Sequence, residues 1–183
     1  TTPVAFSADA ASLICLAYRG EAEQAETAAI LSLDGSAKLT PLPLGGTDGI
    51  WTIEPSPDGR WYAYIGTYRG EAALFLAPTA NPADGRRIPV PRVNHPRWSA
   101  DSSELFFHGY DGFIYALPIR TLADGGVDFG APTALFNAGI GPAMTGVYDA
   151  SPDGKRFLIA QPLADDGLQA LTFMTDWRGT NGQ

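Results

Sequence analysis

Pro55-Ser56-Pro57-Asp58-Gly59-Arg60-Trp61-Tyr62-Ala63-Tyr64 packs a tight turn and the opening of a strand into one short stretch. Ser and Asp side chains hydrogen-bond nearby backbone, and glycine accepts the positive φ that a tight reversal needs. The aromatic run that follows suits a pleated, packed surface. The same punctuation returns at Phe6-Ser7-Ala8-Asp9, Trp98-Ser99-Ala100-Asp101 and Ala150-Ser151-Pro152-Asp153-Gly154. Each copy leads into a β-rich run, and successive aspartates stand 49, 43 and 52 positions apart. A propeller blade repeats at roughly 40 to 50 residues. A second echo agrees, because Tyr18-Arg19-Gly20-Glu21-Ala22 recurs as Tyr68-Arg69-Gly70-Glu71-Ala72 at an offset of 50.

Working outward, each unit reads as short strands in a meander. In the second, Ile50 to Pro55 precedes the turn, and Arg60 to Thr67, Ala72 to Ala77 and Arg86 to Val90 follow. The third runs through Pro96 to Ser99, Glu104 to His108, Phe113 to Ile119 and Thr133 to Phe136. Eight Asp-Gly pairs, which favour tight hairpins, punctuate the chain. Glu21 to Ala29 has helical composition but is short and flanked by strand-like runs, so it is expected to be a long hairpin loop with at most one helical turn. The first unit has Ala10 where glycine would complete the turn, and the third lacks both the proline and the glycine. The expected fold is all-β, a β-propeller of about four four-stranded antiparallel blades. They divide near residues 1–45, 46–92, 93–140 and 141–183. The last unit offers Val147 to Ser151, Arg156 to Pro162 and Gln169 to Trp177 without a fourth strand. The first begins directly on an innermost strand at Val4-Ala5-Phe6. These ends suggest a portion of a larger ring of six to eight blades, open to self-association through its edges.

Composition narrows the function classes. Twelve Lys plus Arg against twenty Asp plus Glu give a net charge of −8, with no basic run. Counterion release from nucleic acid needs the opposite local sign, so nucleic acid is not an expected partner. No apolar stretch approaches the ~20 residues that span a bilayer, so membrane insertion is not expected. The single cysteine, Cys15, lies in an apolar run and reads as a small buried hydrophobe.

The Ser-Pro-Asp-Gly turn entering Trp61-Tyr62-Ala63-Tyr64 resembles the repeat of TolB-like, WD-type bacterial propellers. The stretch from Pro96-Arg97-Trp98-Ser99 through Tyr148-Asp149-Ala150-Ser151-Pro152-Asp153-Gly154 to Leu171-Thr172-Phe173-Met174-Thr175-Asp176-Trp177 resembles the end of such propellers, including those that follow serine/threonine kinase domains. The resemblance implies a fold more than an activity. It leans toward a periplasmic or cell-surface location and a binding or scaffold role in a larger envelope or sensory protein.

No serine has the glycines of a nucleophile elbow. The two histidines, His95 and His108, lack a carboxylate motif that would make a metal site. The recurrent Asp58, Asp101 and Asp153 are explained by turns, and the strand aromatics by blade packing. No catalytic residue, metal or cofactor is therefore assigned. Strand order gathers the second-to-third-strand connections and the blade-to-blade connections on one rim. That rim is expected to carry Tyr18, Arg19, Glu21, Tyr68, Arg69, Glu71, Asn94, His95, His108 and Tyr110, a mixture suited to holding a protein or small ligand. Two alternatives stay open: an accessory propeller of a prolyl-oligopeptidase-type hydrolase, and a propeller lyase or glycosidase.

Overall fold

The computed structural model describes residues 1–18, 25–139, 141, 148–162 and 169–175. Its strands form four antiparallel sheets. The first runs β1 (Thr2–Phe6), β2 (Ser12–Ala17), β3 (Thr27–Ser32) and β4 (Leu39–Leu42) in spatial order. The second runs β5 (Ile50–Pro55), β6 (Trp61–Tyr68), β7 (Glu71–Pro78) and β8 (Arg86–Arg87). The third holds β9 (Val93–Trp98), β10 (Glu104–Gly109), β11 (Phe113–Thr121), β12 (Val127–Phe129) and β13 (Thr133–Asn137). The fourth holds β14 (Tyr148–Ala150), β15 (Arg156–Pro162) and β16 (Gln169–Thr175). A 3-10 turn at Pro82–Asp84 is the only helical element among the described residues, so none of them forms a helix long and apolar enough to cross a membrane.

Each sheet is a meander, as hairpin chemistry dictates. Burial shows how the sheets are used. Trp61 to Gly66 in β6 are all buried, which requires cover on both faces, whereas the outer strand β8 is exposed. The chain divides into two compact units, Thr1–Pro96 and Arg97–Gln183. In the first, the facing sides of two sheets share a core containing Ile14, Leu16, Ala28, Ile53, Tyr64 and Phe75. In the second, Phe106, Ile114, Tyr148, Phe157 and Ile159 form the corresponding core. Phe157 is its hub, meeting Phe106 and Phe136 edge-on, each with ring centroids 5.2 Å away. Such pairs add to the area they bury.

Two expectations need correction. Thr27 to Ala29, expected within a loop, begin β3, paired to β2 from Ala17↔Thr27 onward. Ala28 and Ala29 are buried, and tertiary packing overrides the helical composition of an alanine-rich stretch. The third sheet also has one strand more than expected. The long β11 pairs its end, Ile119 to Thr121, with β12 and its start, Phe113 to Ala116, with β13. Cys15 is buried, as its apolar setting suggested.

Candidate functional site

The repeated turn is one hydrogen-bond clasp built four times. In each copy the serine hydroxyl donates to the Oδ1 of the aspartate two positions on: Ser7 to Asp9 (2.6 Å), Ser56 to Asp58 (2.6 Å), Ser99 to Asp101 (2.8 Å) and Ser151 to Asp153 (2.5 Å). The same Oγ accepts the N–H five residues on, from Ser12, Trp61, Glu104 and Arg156. The aspartate accepts a further N–H two residues on, from Ala11, Arg60, Ser103 and Lys155. Gly59 and Gly154 close two copies with φ of +71° and +64°, while Ala10 and Ser102 adopt +54° and +59° in the others. Ser-x-Asp is therefore the essential part of the motif, and missing glycines do not change the turn.

In three of the clasps these donors also lower the carboxyl of the aspartate. The Ser7 hydroxyl and Ala11 N–H hold Asp9 below the usual carboxylate range, and the Ser151 hydroxyl and Lys155 N–H do the same for Asp153. Asp101 is lowered by the Ser103 hydroxyl and N–H together with Ser99. Carboxylates held ionised this way are weak bases, far from a general base poised near neutrality. Two of these turns, with Pro55, Tyr62 and Thr79, line an open cleft of about 410 Å³ in the first unit.

At the opposite ends of the strands, the structure places the predicted rim residues unevenly. Tyr68, Arg69 and Glu71 share the β6–β7 hairpin. Its two loop residues, Arg69 at φ +54° and Gly70 at +82°, give the doubly positive geometry of a type I′ turn. Tyr18 follows β2 directly and is exposed, whereas Arg19 and Glu21 lie outside the described residues. The two copies of this five-residue repeat nonetheless fall at connections of different length. In the second sheet only two residues separate the strands, but β2 and β3 are nine residues apart.

Asn94 and His95 lie inside β9 rather than before it, both half-buried, and His95 has φ of +52°. His108 sits within β10 and is fully buried, while the nearby Tyr110 is half-buried in the β10–β11 turn. Sequence reasoning missed Asp111 in that turn. Burial pushes its carboxyl up, but hydrogen bonds from the Tyr115 hydroxyl and the Phe113 N–H, with the charge of His108, leave it lowered.

Also missed was Arg87. Its guanidinium carbon lies 5.0 Å from the centroid of the Tyr68 ring, and that of Arg69 lies 5.2 Å from it. Tyr68 rests edge-on against Phe75 at 6.5 Å, and Phe75 stacks on the buried Tyr64 at 5.2 Å. The Tyr64 hydroxyl donates to the Gly45 carbonyl at 2.6 Å, anchoring the column to the connection that enters the second sheet. Three side chains from two backbone segments, the β6–β7 hairpin and β8, thus meet at one exposed corner above a packed aromatic column.

No family model and no curated protein matches this sequence. Solved structures do resemble it in fold. The putative TolB of Agrobacterium tumefaciens matches with a TM-score of 0.66 at 21% identity, over 95% of this chain and 57% of its own. TolB of Acinetobacter baumannii matches with 0.64 at 14% identity, over 96% and 41%. An oligogalacturonate lyase in complex with manganese matches with 0.62 at 15% identity, over 90% and 45%. The chain therefore spans about half the length of these proteins, and identities this low carry the fold alone.

Proposed function

From a chain with the fold of TolB-like β-propellers, we propose a non-catalytic binding or scaffold module of a larger bacterial envelope or sensory protein, one that presents a blade rim to a protein partner. The observation that carries this reading is a contrast between the two ends of the strands. At one end the recurrent aspartates, the most conspicuous acid-base candidates, are engaged by turn donors. At the other, Arg69 and Arg87 project from a short turn and an edge strand over a packed column, the arrangement of groups offered for recognition on a rigid support. A periplasmic or surface location belongs to the same proposal.

Site-specific photo-cross-linking tests it. A cross-linker at Glu71, in the β6–β7 hairpin, should give a discrete protein adduct in extract of cells that express the protein, competed by excess unlabelled protein. A cross-linker at Asp34, at the opposite end of the first sheet, should not. The competing enzymatic reading is tested with polygalacturonate and manganese, where release of unsaturated product should stay at the level without protein. Turnover that disappears on substituting a residue of this chain would overturn the binding-module reading.

A further inference from the structure

The Tyr68 corner has a charge pattern at odds with the rest of the molecule. The protein carries a net charge of −8, yet two guanidinium groups meet around one ring. Their carbons are no more than about 10 Å apart, the sum of the two distances to the centroid. Among the described residues neither Arg69 nor Arg87 makes an ion pair with a carboxylate. Even Glu71, two residues from Arg69, does not pair with it. Two like charges so close repel, and both ends are nevertheless positioned. Arg87 stands opposite Phe75 in the β7–β8 register. Arg69 sits at φ +54°, a conformation unfavourable for any residue with a Cβ, at a turn position where Asn or Gly is the usual occupant. A structural turn has no need of arginine there.

We propose that Arg69, Arg87 and Tyr68 form a receptor for an acidic peptide segment, taken in extended form with carboxylates at alternate positions. This rests on the binding-module reading and specifies its partner chemistry. Guanidinium forks match carboxylates bidentately, and stacking on Tyr68 restrains the forks beforehand. Alternate side chains of an extended strand lie about 6 to 7 Å apart on one face, a spacing that fits two cations within about 10 Å. The cations come from separate backbone segments, a turn and an edge strand, which favours two spaced carboxylates over one compact anion.

The test is fluorescence anisotropy of the whole protein with a short labelled peptide of alternating Glu and Ser, against the same peptide with Gln for Glu. The Glu peptide should bind saturably and more weakly as salt rises. Arg87→Ala and Arg69→Gly should each weaken it about tenfold, a loss of about 1.4 kcal/mol. Arg69→Gly is the informative variant, since glycine suits the turn and the side chain is lost without straining the backbone. Arg86→Ala, on the opposite face of β8 by strand alternation, should leave binding within about twofold. The proposal is overturned if the Gln peptide binds equally well, if Arg69→Gly and Arg87→Ala bind as the parent does, or if inorganic phosphate or a single-stranded oligonucleotide displaces the peptide more effectively than unlabelled Glu peptide. Should the Glu peptide fail to bind while the Glu71 cross-link persists in the doubly substituted protein, the receptor assignment falls and the module reading stands. Loss of that cross-link from the parent protein would remove the module reading instead.

Discussion

Replacing Ser56 by alanine should cost far more than the same change at Ser7, although the two clasps share one hydrogen-bond pattern. Ser56 is fully buried, and its Oγ accepts the N–H of Trp61 at 2.9 Å while donating to Asp58 at 2.6 Å. Alanine leaves the buried Trp61 N–H without that acceptor, a loss of about 1 to 3 kcal/mol, and removes a bond to a partly exposed carboxylate worth somewhat less. Ser7 is part-exposed, so water can replace both partners after truncation. The expected losses are about 2 to 3 kcal/mol for Ser56→Ala and under about 1 kcal/mol for Ser7→Ala. At roughly 2 to 4 °C per kcal/mol for a chain of this size, thermal midpoints should fall by about 4 to 12 °C and by less than about 4 °C. Differential scanning calorimetry with urea titration of both variants separates the cases. Equal losses would refute the reasoning, because burial would then not govern what the clasp contributes.

Ala10→Gly should raise stability by about 0.5 to 1 kcal/mol, since relief of left-handed strain exceeds the added freedom of the unfolded chain; a lower urea midpoint would contradict this. Gly45→Ala should cost at least about 2 kcal/mol, because a Cβ there would stand 1.9 Å from the Ala83 carbonyl oxygen. Gly35→Ala, in open space at φ +89°, should cost about 1 kcal/mol, and equal losses at the two glycines would count against the contact. Acid should unfold the protein partly through its clasps. Asp9, Asp101 and Asp153 have carboxyls lowered in the fold, so their contribution is complete above the unfolded value of about 3.9 and fades as pH falls through the lower folded values. Asp153→Asn should therefore lose stability less steeply below about pH 4 than the parent does in parallel urea titrations.

Much of the fold was legible because hairpin chemistry is local. Strand β5 runs Ile50–Pro55 as expected, and the Ser-x-Asp signal alone located all four clasps. What escaped depends on partners distant in sequence. Thr27 to Ala29 join a strand because β2 and β4 flank them, which alanine-rich composition conceals. His108 reads as a strand-end residue, yet nothing in its immediate sequence reports the packing that buries it. The rim corner was half legible. Tyr68 and Arg69 were marked by the repeated pentapeptide, but Arg87 belongs to a two-residue strand with no alternation to betray its direction. Only its register opposite Phe75 brings it to Tyr68.

Strand order within the sheets has a kinetic consequence. Among the described residues, the ladders between named strands join a strand to the next in sequence except at β13, which passes over the short β12 to reach β11. Contact order within each sheet is therefore low for an all-β protein, and the closure entropy of a hairpin can be met soon after both its strands leave the ribosome. A clasp that ties residues only five apart is suited to register such a hairpin before any neighbouring sheet exists. The chain can thus assemble its sheets in order of synthesis, leaving the face-to-face docking of the two sheets within each unit as the slower, later event.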